Sequence, residues 1–109
     1  MAFKLYSAVR ETSTAPGTGA FTLNGAYDSS YFAFSDRYSD GDTGYYYAKG
    51  AAGREFGKFT FNVLTGPVYT LTRSVIKSTN LNSAVNFSSG SVDIAVTNIA
   101  PNREVLPLV

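Results

Sequence analysis

The 109-residue chain contains no cysteine, no histidine and no tryptophan, and only one methionine. Without cysteine there is no disulfide framework and no thiolate chemistry, and the redox compartment is left open. Without histidine there is no imidazole base, no nucleophile relay and no imidazole metal ligand, which removes the commonest catalytic constellations at once. Charge is also sparse: nine basic residues face eight acidic ones, with no run of one sign. Nucleic-acid binders usually carry a basic stripe, so none is expected as a partner. No segment approaches the roughly 20 apolar residues of a membrane span, and Met1 to Ser7 lacks the apolar run of a signal peptide. A chain made soluble in the cytoplasm, with no membrane partner, is the expectation.

What the chain does contain is eight tyrosines, eight phenylalanines and ten glycines. Tyr, Phe, Thr and Val with glycine-rich turns point to strands joined by tight connections. At this length one core is expected, and no window longer than one turn carries a helical apolar repeat. The predicted class is all-β, a single sandwich or small barrel of about seven antiparallel strands without significant helix. The first strand is expected over Lys4–Arg10, with Leu5, Ser7 and Val9 on one face. Glu11–Gly19 reads as a loop, Ala20–Leu23 as a short strand, and Asn24-Gly25 as a turn. A third strand is expected over Ser30–Ser35, with Phe32 and Phe34 sharing a face, and a fourth over Gly44–Lys49.

Arg54–Leu64 alternates Phe59, Phe61 and Val63, with Phe56 out of phase; a bulge beside Gly57 is expected to return Phe56 to the core. Thr65-Gly66-Pro67 closes a hairpin into Val68–Ile76, and the last strand spans Val92–Asn98. Between these two, a long polar loop is expected to be pinned by Leu81, Ala84, Val85 and Phe87. Residues 1–99 are read as the domain and 100–109 as an extended C-terminal arm. That arm ends in Val105, Leu106, Leu108 and Val109, which form a candidate assembly surface. Burying four aliphatics gains roughly 1.5–3 kcal/mol each. Fixing ten residues costs roughly 1–2 kcal/mol each, so the arm orders only with added backbone pairing or a partner surface.

No catalytic, cofactor or metal set emerges. Asp36–Asp42 has carboxylates at calcium-loop intervals, but Tyr38 and Tyr47 stand at its third and twelfth positions. Gly17-Thr18-Gly19 lacks the further glycine, lysine and helix of a phosphate cradle. Glu55 and Arg73, on strands paired through one hairpin, are assigned as a structural ion pair at the sheet surface. Tyr45 and Tyr47 are the candidate binding aromatics, since exposed tyrosine stacks on sugar rings and anchors interfaces.

Taken in order, several short segments resemble small virion proteins of tailed bacteriophages and related modules on phage fibre and tail proteins. They are Val9-Arg10-Glu11-Thr12-Ser13-Thr14, Gly17-Thr18-Gly19, Phe21-Thr22-Leu23 with Gly25-Ala26, Phe34-Ser35-Asp36 with Gly41-Asp42, Glu55-Phe56-Gly57 and Leu71-Thr72-Arg73. They continue with Ser78-Thr79, Ala84-Val85-Asn86-Phe87 and Gly90 to Val96. Arg54 stands where the pattern has an aromatic, and the C-terminal ten residues lie outside the match. The resemblance implies a non-enzymatic structural part of a virus particle, located in the virion, forming homo-oligomers and contacting other virion proteins. The alternative is a carbohydrate-binding β-sandwich module of an adhesin, with a host surface glycan as partner. A small hydrolase using paired carboxylates would need two acids facing one cleft, and nothing in the sequence singles out such a pair.

Overall fold

The computed structural model describes residues 2–4 and 6–97. Six strands form one antiparallel sheet: β1 (Arg10–Thr14), β2 (Phe21–Thr22), β3 (Thr43–Gly50), β4 (Gly53–Leu64), β5 (Val68–Ser78) and β6 (Ser91–Val96). Their spatial order is β1-β6-β3-β4-β5-β2, with one helical turn, α1 (Phe34–Arg37), between β2 and β3. The sheet curls until its two ends meet. The Asn24 amide donates to the Thr12 carbonyl at 3.0 Å and that of Tyr27 to Arg10 at 2.8 Å, so the chain leaving β2 runs on beside β1. The expected all-β class holds, in its barrel form.

Alternation accounts for the central strands. In β3, Gly44, Tyr46 and Ala48 face inward, and Tyr45, Tyr47 and Lys49 face outward. Phe59 and Phe61 of β4, Leu71 of β5, and Val92 and Ile94 of β6 complete the inner face with Phe21. Phe34 and Tyr38, at either end of α1, close one end of the barrel. They pack on Phe59 with ring centroids 5.4 and 5.1 Å away, both edge to face. From the long loop only Val85 and Phe87 enter the core; Leu81, expected among the pins, is 93 % exposed.

Three further expectations are corrected. The strand expected over Lys4–Arg10 is not there: Phe3 and Val9 make only isolated bridges, and Ala8 sits at φ 62°, a left-handed conformation that interrupts extension. The first strand lies instead at Arg10–Thr14, all but Arg10 of it within the Glu11–Gly19 segment read as a loop. The strand expected over Ser30–Ser35 ends in α1, so Phe34 is buried while Phe32 is 46 % exposed. Six strands among the described residues match the expected number of about seven.

The bulge is where the phase break placed it, between Phe56 and Gly57, but it has the opposite effect. Phe56 pairs with Lys77 and Gly57 with Val75, so the extra residue is Ile76 of β5. The alternation of β4 runs unbroken, which sends Phe56 outward and puts Glu55 inside. A Cβ at Gly57 would lie 2.1 Å from the Ser74 carbonyl oxygen, so only glycine lets β4 approach the bulge this closely.

Candidate functional site

The inward turn of Glu55 creates the most polar place in the core. Its side chain is 0 % exposed, and that of Arg73, reaching it from β5, is 3 %. Arg73 Nε donates to Glu55 Oε2 at 3.0 Å and Nη2 to Oε1 at 2.6 Å, a two-pronged pair. Nη1 donates to the carbonyls of Gly17 and Gly19 at 2.9 and 3.0 Å, and Nη2 also to that of Val85 at 2.9 Å. All five guanidinium donors are thereby used. Glu55 additionally accepts the Val85 amide at 2.8 Å and the Tyr46 hydroxyl. Burial first, and then the Glu55 carboxylate, hold the Tyr46 phenol neutral far above its usual range. The Arg73 guanidinium lies 4.5 Å from the Phe21 ring centroid and 5.5 Å from that of Phe87.

The predicted ion pair is present, in the interior rather than at the sheet surface. Its three carbonyl acceptors explain what it does. Residues 15–19 and 85–90 cover the seam beside β5, pairing through Gly17 and Phe87 and through Ala15 and Gly90. Arg73 ties both loops to the barrel wall. The carbonyls of Gly17 and Gly19 face a cation, which is the opposite of a phosphate cradle.

Glu11 plays the same part at the other seam. It is 2 % exposed and accepts the amides of Gly25 at 2.7 Å and Phe34 at 2.6 Å, fixing the start of α1 against β1. Desolvation pushes its carboxyl above the ordinary range despite those two bonds. Sequence reasoning missed Glu11, since a carboxylate in a Thr/Ser-rich run reads as solvated. The acids of the calcium-like loop are likewise occupied. Asp36 accepts the Ala33 amide at 3.0 Å, and Asp40 accepts that of Val63 at 2.8 Å. Asp42 accepts those of Ala2 and Ser39 and pairs with Lys4 at 2.8 Å. The Lys4 ammonium and the two amides hold the Asp42 carboxyl well below the usual range. Among the described residues no three acidic groups converge as a metal site.

The outer face holds the remaining candidates. Cross-strand register aligns Arg10, Ala95, Tyr47, Phe56 and Lys77 in one row across β1, β6, β3, β4 and β5. Tyr47 stands as a ridge in that row, with a shallow hollow of about 270 Å³ on either side. The first hollow has the small Ala95 at its floor and Arg10, Tyr31, Lys49 and Asp93 around it. The second is lined by Phe56, Arg54, Glu55, Lys77, Ser78 and Thr79. Arg10 is held two-pronged by Asp93, donates to the Tyr31 hydroxyl at 3.1 Å and stacks 3.7 Å from the Tyr27 ring centroid. Tyr45, the other aromatic singled out, is in a neighbouring row and packs edge-on against Phe3, 5.1 Å between centroids. The two tyrosines are thus not one platform. Val105, Leu106, Leu108 and Val109 lie outside the described residues.

Comparison of the chain with known protein families, with curated proteins and with solved structures finds no match.

Proposed function

We propose that the chain is a non-enzymatic structural component of a tailed-phage virion, associated with the tail, fibre or capsid surface. It acts by self-assembly and by docking on other virion proteins. The observation that carries the reading is the use made of the buried ionisable groups. Glu55, Arg73, Glu11 and Asp42 are each bonded to backbone amides or carbonyls that position a loop, and those bonds leave none of these three carboxylates poised toward a cleft. A catalytic acid or base needs a reactable position and a proton to exchange; these groups are arranged as fasteners. The ordered resemblance across residues 9–97 supplies the virion assignment, and the aliphatic arm ending at Val109 supplies a segment for docking.

The test is the composition of particles. An antibody against the chain should label purified phage particles at one repeated position under electron microscopy, and the chain should band with them in a density gradient. A chain found only in the soluble lysate, absent from particles that carry their other structural proteins, would overturn the assignment.

A further inference from the structure

We infer that the outer row centred on Tyr47 binds an acidic oligosaccharide, one whose rings carry carboxylates, with one sugar seated in each of the two hollows. This goes beyond the assembly reading and does not depend on it. Three observations carry the inference.

The first is shape. Ala95 lies between Arg10 and Tyr47 in the row, and its small side chain leaves the dip that forms the first hollow. The second hollow opens beyond Tyr47, over Phe56. Ala95 and Phe56 flank Tyr47 on adjacent strands, so the hollows are about 10 Å apart, two strand spacings. A single aromatic ridge between two shallow dishes suits adjacent rings of a linear chain, whose apolar C–H faces pack on tyrosine while their hydroxyls stay wet.

The second is rigidity. The Tyr31 wall is fixed by its bond to Arg10, and Arg10 by Asp93 and Tyr27, so three of the groups around the first hollow are already ordered before any ligand arrives. A site whose walls are held by their own partners loses little freedom on binding.

The third is charge. Around the two hollows, Arg10 and Asp93 neutralise each other as an ion pair, which leaves Lys49, Arg54 and Lys77 as the further charged groups, all cationic, apart from the inward-turned Glu55. Glu55 also borders the second hollow, but its carboxylate is turned inward onto Arg73. The strip is locally cationic in a chain whose formal net charge is only +1. An acidic sugar places a carboxylate beside each apolar ring face, which matches the interleaving of Tyr47 and Phe56 with Lys49 and Arg54. A nucleic acid is the poorer fit. It carries a charge at every nucleotide, and Asp28, Asp36 and Asp40 elsewhere on the described surface would oppose a long polyanion.

The experiment is an amide-resolved NMR titration of the full chain with oligogalacturonate at millimolar concentration. Cellohexaose, polyglutamate and oligo-dT are titrated in parallel. The expected result is saturable shifts at Ala95, Tyr47 and Phe56 with oligogalacturonate, weaker ones with cellohexaose, and none of comparable size with polyglutamate. Tyr47→Ala should weaken binding about tenfold, the effect of one stacking contact. Lys49→Gln with Arg54→Gln should remove the preference for the acidic over the neutral sugar while leaving the folded spectrum intact. Tyr45→Ala, in the neighbouring row, should change nothing. Absence of shifts at the row with either sugar would overturn the inference. So would equal binding of polyglutamate, which would mean unspecific charge attraction, or tighter binding of oligo-dT, which would mean a nucleic-acid surface.

Discussion

Arg73 directs every guanidinium donor at a named oxygen, and three of those oxygens belong to loops that have no strand of their own. Removing one member of such a buried pair leaves the other charged, desolvated and unmatched. Glu55→Ala and Arg73→Met should each lower the unfolding free energy by about 3–5 kcal/mol in urea titration. The double variant should lose less than the sum, because the two side chains act as one unit. Ser13 is the converse case: it is fully buried on the inner face of β1, and its hydroxyl has no partner among the described residues. Ser13→Ala should therefore raise stability, by about 1 kcal/mol, read as an increase in Tm. Asp42 gives a pH signature. Its folded-state carboxyl titrates below the ordinary 3.8, so its stabilisation is present above that value and is lost as pH falls through the gap between the unfolded and folded values. The Tm difference between the native chain and Asp42→Asn should be constant near neutrality and shrink steadily below about pH 5.

At the scale of elements, what was legible in the sequence depended on whether a strand's inner face is apolar. β3, β4 and β5 announce themselves because Tyr46, Phe59, Phe61 and Leu71 recur at period two between glycine turns. β1 does not, because its inward residues are Glu11 and Ser13. Its strand conformation comes from pairing with β6 along Arg10–Thr14, and the carboxylate is accommodated only because Gly25 and Phe34 bring their amides to it. No local pattern encodes that. The candidate binding row was half legible for a similar reason: Tyr47 could be singled out, but its grouping with Ala95 and Arg10 depends on register across three strands, and Tyr31 joins only through its bond to Arg10. The bulge illustrates how period alone misleads. A phase break in β4 locates it, yet the inserted residue belongs to β5, and Phe56 stays outside. Gly57→Ala should cost at least about 3 kcal/mol in equilibrium unfolding, since the added methyl meets backbone of β5 that cannot move without breaking the bulge. The same change at Gly25, where a Cβ meets nothing within 4 Å, carries only the left-handed backbone penalty.

For the whole molecule, a curled sheet closed by bonded loops leaves two kinds of surface. One is the aromatic outer row across β1, β6, β3, β4 and β5, and the other carries the exposed acids Asp28, Asp36 and Asp40. In the proposed assembly, residues 100–109, with their four large aliphatics, are the segment that docks on a neighbour. Burying Val105, Leu106, Leu108 and Val109 needs a partner surface, so the proposed self-assembly stands or falls with residues 100–109. Light scattering during size-exclusion chromatography, on the full chain and on one ending at Ile99, tests this most directly. The full chain should elute as a discrete oligomer with a mass that is a whole multiple of the chain, and the shortened chain as a folded monomer with unchanged thermal unfolding of the barrel. A monomeric full chain, or an oligomer that persists unaltered without residues 100–109, would contradict it.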